Sequence, residues 1–155
     1  VSRQMRLGGA LKLFAVHAPL LSQIEGEEGR PGCFRFQNVD FGSVWVQGVV
    51  TEVTEDGAWL DDGSGLIFLV TRKYRHAYPV REQVGQLISA IGPAAFSKSK
   101  QLLVIVQKLA NLGVDPNREQ LWILEVIDSH MRLIYGQEES SHVDVVAETP
   151  VGTPN

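Results

Sequence analysis

The sequence predicts a mainly β fold: a small closed barrel of five strands followed by one long C-terminal α-helix. Three observations lead there. Valine-rich or alternating segments recur between residues 43 and 109, each bounded by a turn rich in Gly, Asp or Ser. Residues 116–135 then repeat apolar side chains at helical spacing. Finally, 155 residues with 44% hydrophobic and 21% charged side chains suit one packed domain and are cramped for two.

Residues 1–10 offer no periodic pattern and are expected to be a flexible N-terminus. From Ala10 to Gln23, Leu11, Leu13, Phe14, Leu20 and Leu21 surround Pro19, which predicts a short strand or helical turn broken by the proline. Residues 25–32 place Gly26, Gly29, Pro31 and Gly32 among acids and read as an exposed loop. Phe34 and Phe36 alternate with Arg35 and Gln37, the period of a half-buried strand.

The first barrel strand is expected over 43–54, with Gly48 marking a bend or bulge. Asp56-Gly57 supplies a hairpin turn, 58–61 a second strand, Asp62-Gly63-Ser64-Gly65 a tight turn and 66–71 a third strand. After a polar stretch over 72–82, strands are expected over 86–96 and 102–109, joined by Ser97-Lys98-Ser99-Lys100. Five short strands, a bent first strand, a connection after the third and a terminal helix match the OB architecture. A sandwich would want about seven strands, and an SH3-like barrel leaves the helix without a role.

Asp115-Pro116-Asn117 opens the helix, with Asn117 placed to cap it, and Gly136 is placed to stop it. At ~100° per residue the apolar side chains from Leu121 to Tyr135 cover an arc of about 220°. A helix lying on its own barrel needs a stripe only a little over ~100° wide, so apolar surface is left over. One explanation is deeper burial within the same domain; the sharper one is a partner helix. On that reading Trp122, Val126 and Leu133 form the docking flank, with Ile123 and His130 beside them. Beyond Gly136, residues 137–155 are polar and acidic and are expected to be a disordered tail, although Val143, Val145 and Val146 would also suit a strand added to a neighbour. The domain proper is thus expected over 11–136.

Chemistry is sparse. His17, His76, His130 and His142 are scattered without ligand spacing, and Cys33 is the lone cysteine, so neither a metal centre nor a disulfide is expected. Asp61 and Asp62 would point to opposite faces of a strand and read as turn formers. Gly63-Ser64-Gly65 is too short to cradle phosphate. No cofactor and no enzymatic activity are therefore expected. No apolar run reaches the ~20 residues of a membrane span, so a soluble protein is expected. A net charge of −4 argues against binding nucleic acid chiefly by phosphate neutralisation. A local single-strand site remains the alternative, built from Lys98 and Lys100 beside Phe96, with Arg72 and Tyr74; Glu52, Glu55, Asp56, Asp61 and Asp62 oppose it.

Four segments in order carry a family resemblance: Val44-Trp45-Val46-Gln47-Gly48, Asp62-Gly63-Ser64-Gly65, Val106-Gln107-Lys108-Leu109, and Leu121-Trp122-Ile123-Leu124-Glu125-Val126 with Asp128 and His130. They resemble the RecQ-mediated genome instability protein 2 family over about residues 11–135. The resemblance implies a non-catalytic, nuclear OB subunit that pairs with a larger OB-fold sister of the RecQ-mediated genome instability protein 1 type. Through that sister it would join topoisomerase III and a Bloom-type helicase in dissolving recombination intermediates. It also implies a contact role for Lys108 and Trp122, a weaker one for Lys12, docking of a Fanconi-type translocase peptide, and weak or no direct DNA binding. The chain lacks an alanine- and glycine-rich leader and has a longer acidic tail than that pattern.

Overall fold

A computed structural model describes residues 5–72, 74 and 83–148, with side chains to residue 135. Its elements are β1 (Met5–Arg6), β2 (Leu11–Lys12), a 3-10 helix (Ala15–Leu20), β3 (Ser22–Glu25), β4 (Cys33–Phe36), β5 (Val39–Phe41), β6 (Ser43–Val53), β7 (Gly57–Asp61), β8 (Leu66–Val70), β9 (Leu87–Phe96), β10 (Leu102–Ile105), β11 (Lys108–Gly113) and α1 (Pro116–Glu148).

The barrel closes as the sequence predicts. β6 pairs antiparallel with both β7 and β9, β7 with β8, β8 runs parallel to β10, and β10 returns antiparallel to β9. That circuit is the five-stranded OB barrel. Alternate residues fill it: Val44, Val46, Val50, Ala58, Leu60, Ile67, Leu69, Ile88, Ala90, Leu102 and Val104 are buried. The strand expected over 102–109 is in fact two. β10 pairs with the far end of β9 and with β8, whereas β11 pairs with the near end of β9. Gly92 lies at the break, where an added Cβ would stand 1.8 Å from the Ile105 carbonyl oxygen. The register of β6 against β7 breaks between Val50 and Glu52 rather than at Gly48. Gly48 instead lets the Asp61 backbone approach, a Cβ there standing 2.8 Å from its carbonyl oxygen.

A second sheet, in the order β1-β5-β4-β3, comes from the N-terminal third. Phe34, Phe36, Val39 and Phe41 turn inward from it, and Arg35 pairs outside with Asp40 at 2.7 Å. Met5 and Arg6, within the segment 1–10 expected to be flexible, pair in parallel with Val39 and Asp40; residues 1–4 lie outside the described residues. Asp62 ties this region to the barrel. One carboxylate oxygen accepts from the Ser64 and Gly65 amides and the Ser64 hydroxyl, and the other accepts from the Ala15 amide at 2.7 Å.

At the helix start, Asp115 rather than Asn117 is the cap: its Oδ1 accepts from the Asn117 amide at 3.0 Å, with Pro116 in the first position, where no N–H is needed. Nor does the helix stop at Gly136. A helical glycine costs about 1 kcal/mol relative to alanine, too little to end a run whose next residues, Gln137, Glu138 and Glu139, are good helix formers. The expected tail is therefore helical to Glu148, and residues 149–155 lie outside the described residues. No described helix is long and apolar enough to cross a membrane.

Candidate protein-docking face of the C-terminal helix

Helix α1 lies on the outer side of the barrel where β2 adds to β6. Pairing aligns Lys12 with Trp45, Trp45 with Ile91, and Ile91 with Lys108, so these four residues form one row across β2, β6, β9 and β11. Trp45 points outward because its neighbours Val44 and Val46 point inward. Its Nε1–H donates to Ser89 Oγ at 2.7 Å, which fixes the ring as a platform.

Trp122 packs on that platform with ring centroids 5.8 Å apart. The Lys12 ammonium stands 4.7 Å from the Trp45 ring and 5.9 Å from the Trp122 ring, and 3.7 Å from the Glu125 carboxylate. One turn further on, Val126 is fully buried. His130 follows, its Nε2–H donating to the Lys12 carbonyl at 2.6 Å, with its ring against Phe36 and His17 at 4.9 and 4.7 Å. Leu133 is half-buried against the core. Burial holds His130 below the ordinary imidazole range, the Lys12 carbonyl opposing this in part; burial and then His130 do the same to His17, with Asp62 opposing.

These contacts enclose most of the expected docking flank within this chain. Trp122 is only 4% exposed, and Val126 and His130 are likewise enclosed by this same chain. The reason is geometric: Trp45 and Lys12 present an outward platform wide enough for an aromatic residue, and Trp122 packs onto it. The Trp122 Nε1–H finds no acceptor there among the described residues. Of the other expected partner residues, Lys108 is exposed on β11 in the Trp45 row, Lys12 is half-buried beneath the helix, and Ile123 is 46% exposed at the edge of the packed flank.

The surplus apolar surface does exist, but on the opposite side. Leu121, Leu124, Ile127, Met131, Ile134 and Tyr135 are all exposed, Leu124 by 63%. Leu124, Ile127, Met131 and Ile134 follow one another at spacings of three, four and three, the seam of a helix that packs against another helix. The periodicity contains these residues; only the docking shows which flank is free. A cavity of about 440 Å³ lined by Lys12, Trp45, Gln47, Ser89, Leu121 and Trp122 lies on the packed flank, at the Trp45 platform.

The residues of the nucleic-acid alternative are not gathered into one patch. Lys98 and Lys100 are exposed on the loop beside the start of β8, Arg72 follows its end and pairs with Asp56 at 3.6 Å, and Tyr74 packs against the core. Asp61 and Asp62 serve the turn, as expected from their spacing. No cluster of three or more metal-ligating side chains occurs among the described residues.

Comparison with known proteins gives concordant results. The family model for RecQ-mediated genome instability protein 2 matches residues 10–130. Among solved structures, the S. pombe Stn1-Ten1 complex contains a chain that superposes with a TM-score of 0.56 at 14% identity, covering 70% of this chain and 85% of that one. A chain of yeast Stn1 and Ten1 superposes with a TM-score of 0.50 at 15% identity, covering 66% and 59% respectively. At such identities the likeness shows the OB fold and nothing finer. No curated protein matches the sequence.

Proposed function

This chain belongs to the RecQ-mediated genome instability protein 2 family, and we propose that it works there as a non-catalytic scaffold subunit that pairs with a larger OB-fold sister subunit. It is an OB-fold protein of genome maintenance. The pair would stabilise a RecQ helicase and topoisomerase III assembly in the nucleus, where recombination intermediates are dissolved. One observation carries the reading: α1 has already covered its barrel with Trp122, Val126 and His130, yet holds a second, continuous apolar seam in solvent. Apolar seams on soluble proteins at this density mark association surfaces. The similar S. pombe structure is itself a complex of two named chains, Stn1 and Ten1, which supports an OB barrel working in a pair.

In this arrangement the partner's helix lies along Leu124, Ile127, Met131 and Ile134, while Lys12 and Lys108 stand on the barrel side of α1. Trp122 acts indirectly, by fixing the angle at which the seam is presented. Burying each large seam side chain contributes about 1.5–3 kcal/mol when complete. The test is co-purification of the full chain with its sister subunit. Leu124→Asp with Met131→Asp should abolish recovery of the partner while the circular dichroism spectrum is kept; undiminished recovery would refute the docking face.

A further inference from the structure

Between the start of α1 and the β6–β7 pair lies a cavity of about 370 Å³ that the exposed seam does not use. Gln47, Val49 and Thr51 of β6 line it, with Leu87 beside Val49 in the β6–β9 register. Asp61 stands opposite Val49 on β7, and the missing side chain of Gly48 lets the Asp61 backbone come close. The Gln47 Nε2–H donates to the Arg118 carbonyl at 3.4 Å, which ties the first turn of α1 to the strand. Trp122 and Ile123 close the helix side. The volume is at the small end of the roughly 300–1,000 Å³ typical of ligand sites. It suits one long side chain and its backbone, and is too small for a helix about 10 Å across.

Asp61, Asp62 and Glu119 line this cavity, and no basic side chain does. Asp62 is committed to the Ala15, Ser64 and Gly65 amides. Asp61 gives only Oδ1 to its turn, accepting from the Gly63 amide at 2.8 Å. Asp61 and Glu119 are both exposed, and neither belongs to an ion pair among the described residues. The neighbouring cations are turned elsewhere: Arg72 pairs with Asp56, and Arg118 lines the cavity on the Trp45 side of the helix. Trp122 adds an independent feature. It is almost fully buried, it lines the cavity, and its Nε1–H lacks an acceptor among the described residues. Toward the barrel it meets the Trp45 ring and the Lys12 ammonium, neither of which carries a lone pair to receive that hydrogen. A buried donor left without an acceptor is costly, and the cavity is a route by which one can arrive.

We infer that this cavity receives a lysine or arginine side chain of the sister subunit. Its methylene stem lies along Val49, Leu87 and Ile123, its charged head sits between Asp61 and Glu119, and a backbone carbonyl of the same segment accepts from Trp122 Nε1–H. Long basic side chains suit such a site, because the stem covers apolar surface while the head stays at a polar rim. The inference rests on the pairing proposed above, and Ile123 supplies the continuity: it lines the cavity and stands one helical turn from Ile127 of the seam. A partner helix on the seam therefore brings its neighbouring segments to the cavity mouth. Exposed rim carboxylates of this kind fix register and speed association more than they add affinity.

The test measures the affinity of the full chain for its sister subunit at about 50 mM and about 500 mM salt. Asp61→Asn with Glu119→Gln keeps the turn contact and the helix, and should weaken binding about 10-fold at low salt and flatten the salt dependence. Thr51→Phe fills the cavity without changing charge and should weaken binding about 10-fold at both salts. Glu55→Gln, outside the cavity, should bind as the parent chain does. The charge variant alters only exposed side chains, so it reads out even if Thr51→Phe folds poorly. Parent-like binding by the charge variant, or by a folded Thr51→Phe, would overturn the inference; so would an equal loss from Glu55→Gln, which would mark a diffuse field. Leu124→Asp with Met131→Asp reads the pairing itself. If that variant loses the partner while the cavity variants bind like the parent chain, the cavity alone fails; if it keeps the partner, the pairing fails and the inference with it.

Discussion

The two long sides of α1 are almost equally apolar and have opposite fates. One side buries Trp122, Val126 and His130 on a platform made by Trp45 and Lys12; the other holds Leu124, Ile127, Met131 and Tyr135 in solvent. Composition does not separate them. What separates them is a feature of the barrel: an outward tryptophan beneath the helix, held by Ser89, that receives the helix side able to place an aromatic ring against it. Apolar content therefore measures how much surface a helix must cover, while the underlying sheet decides which part is covered internally. The remainder stays in solvent.

Substitutions should divide along the same line. Trp122→Ala should lower the stability of the isolated chain by about 3–5 kcal/mol, because it leaves a cavity beside Trp45 that the strands cannot fill. Urea unfolding checks this, and an unshifted midpoint would mean that the packed side does not hold the helix. Exposed seam positions such as Ile127→Ser should move the same midpoint by no more than about 0.5 kcal/mol. A large drop there would erase the distinction between the two sides.

The packed side should also be the pH-sensitive one. His17 and His130 are both held below the ordinary value of 6.5, first by burial, so the unfolded chain binds more protons than the folded one under mild acid. Their neutral forms contribute stability above pH 6.5 that is lost as pH falls below it through the folded-state values. Stability measured from pH 7.5 down should decline through this window, and His130→Asn should flatten the decline. An equal slope in that variant would place the proton uptake elsewhere. A small effect belongs to the Lys12–Glu125 pair: with Glu125 half-exposed, Glu125→Gln should cost no more than about 0.5–1 kcal/mol.

Much of the barrel was legible because its strands are long enough to show alternation and its turns carry Asp and Gly at fixed places. Ser43–Val53, Gly57–Asp61 and Leu66–Val70 fall close to the expected segments. The second sheet was not, since Met5–Arg6, Val39–Phe41 and Ser22–Glu25 are too short for any period to emerge. Asn117 and Asp115 are both good caps by type, and only the fixed φ of Pro116, which belongs inside the first turn, separates them. Gly136 reads as a stop because sequence shows its local cost and not the helix formers that outweigh it. At the site, the width of the apolar arc was legible and its orientation was not: the partner of Trp122 is a strand residue 77 positions away.

The separation of the two sides can be read most directly by oxidative footprinting of the full chain, alone and bound to its sister subunit, following Met131 and Tyr135 against Trp122 by mass spectrometry. Met131 and Tyr135 should be modified quickly in the free chain and protected several-fold in the complex, while Trp122 stays protected in both. If the complex forms with Met131 and Tyr135 oxidised as fast as before, the exposed seam is not where the partner sits.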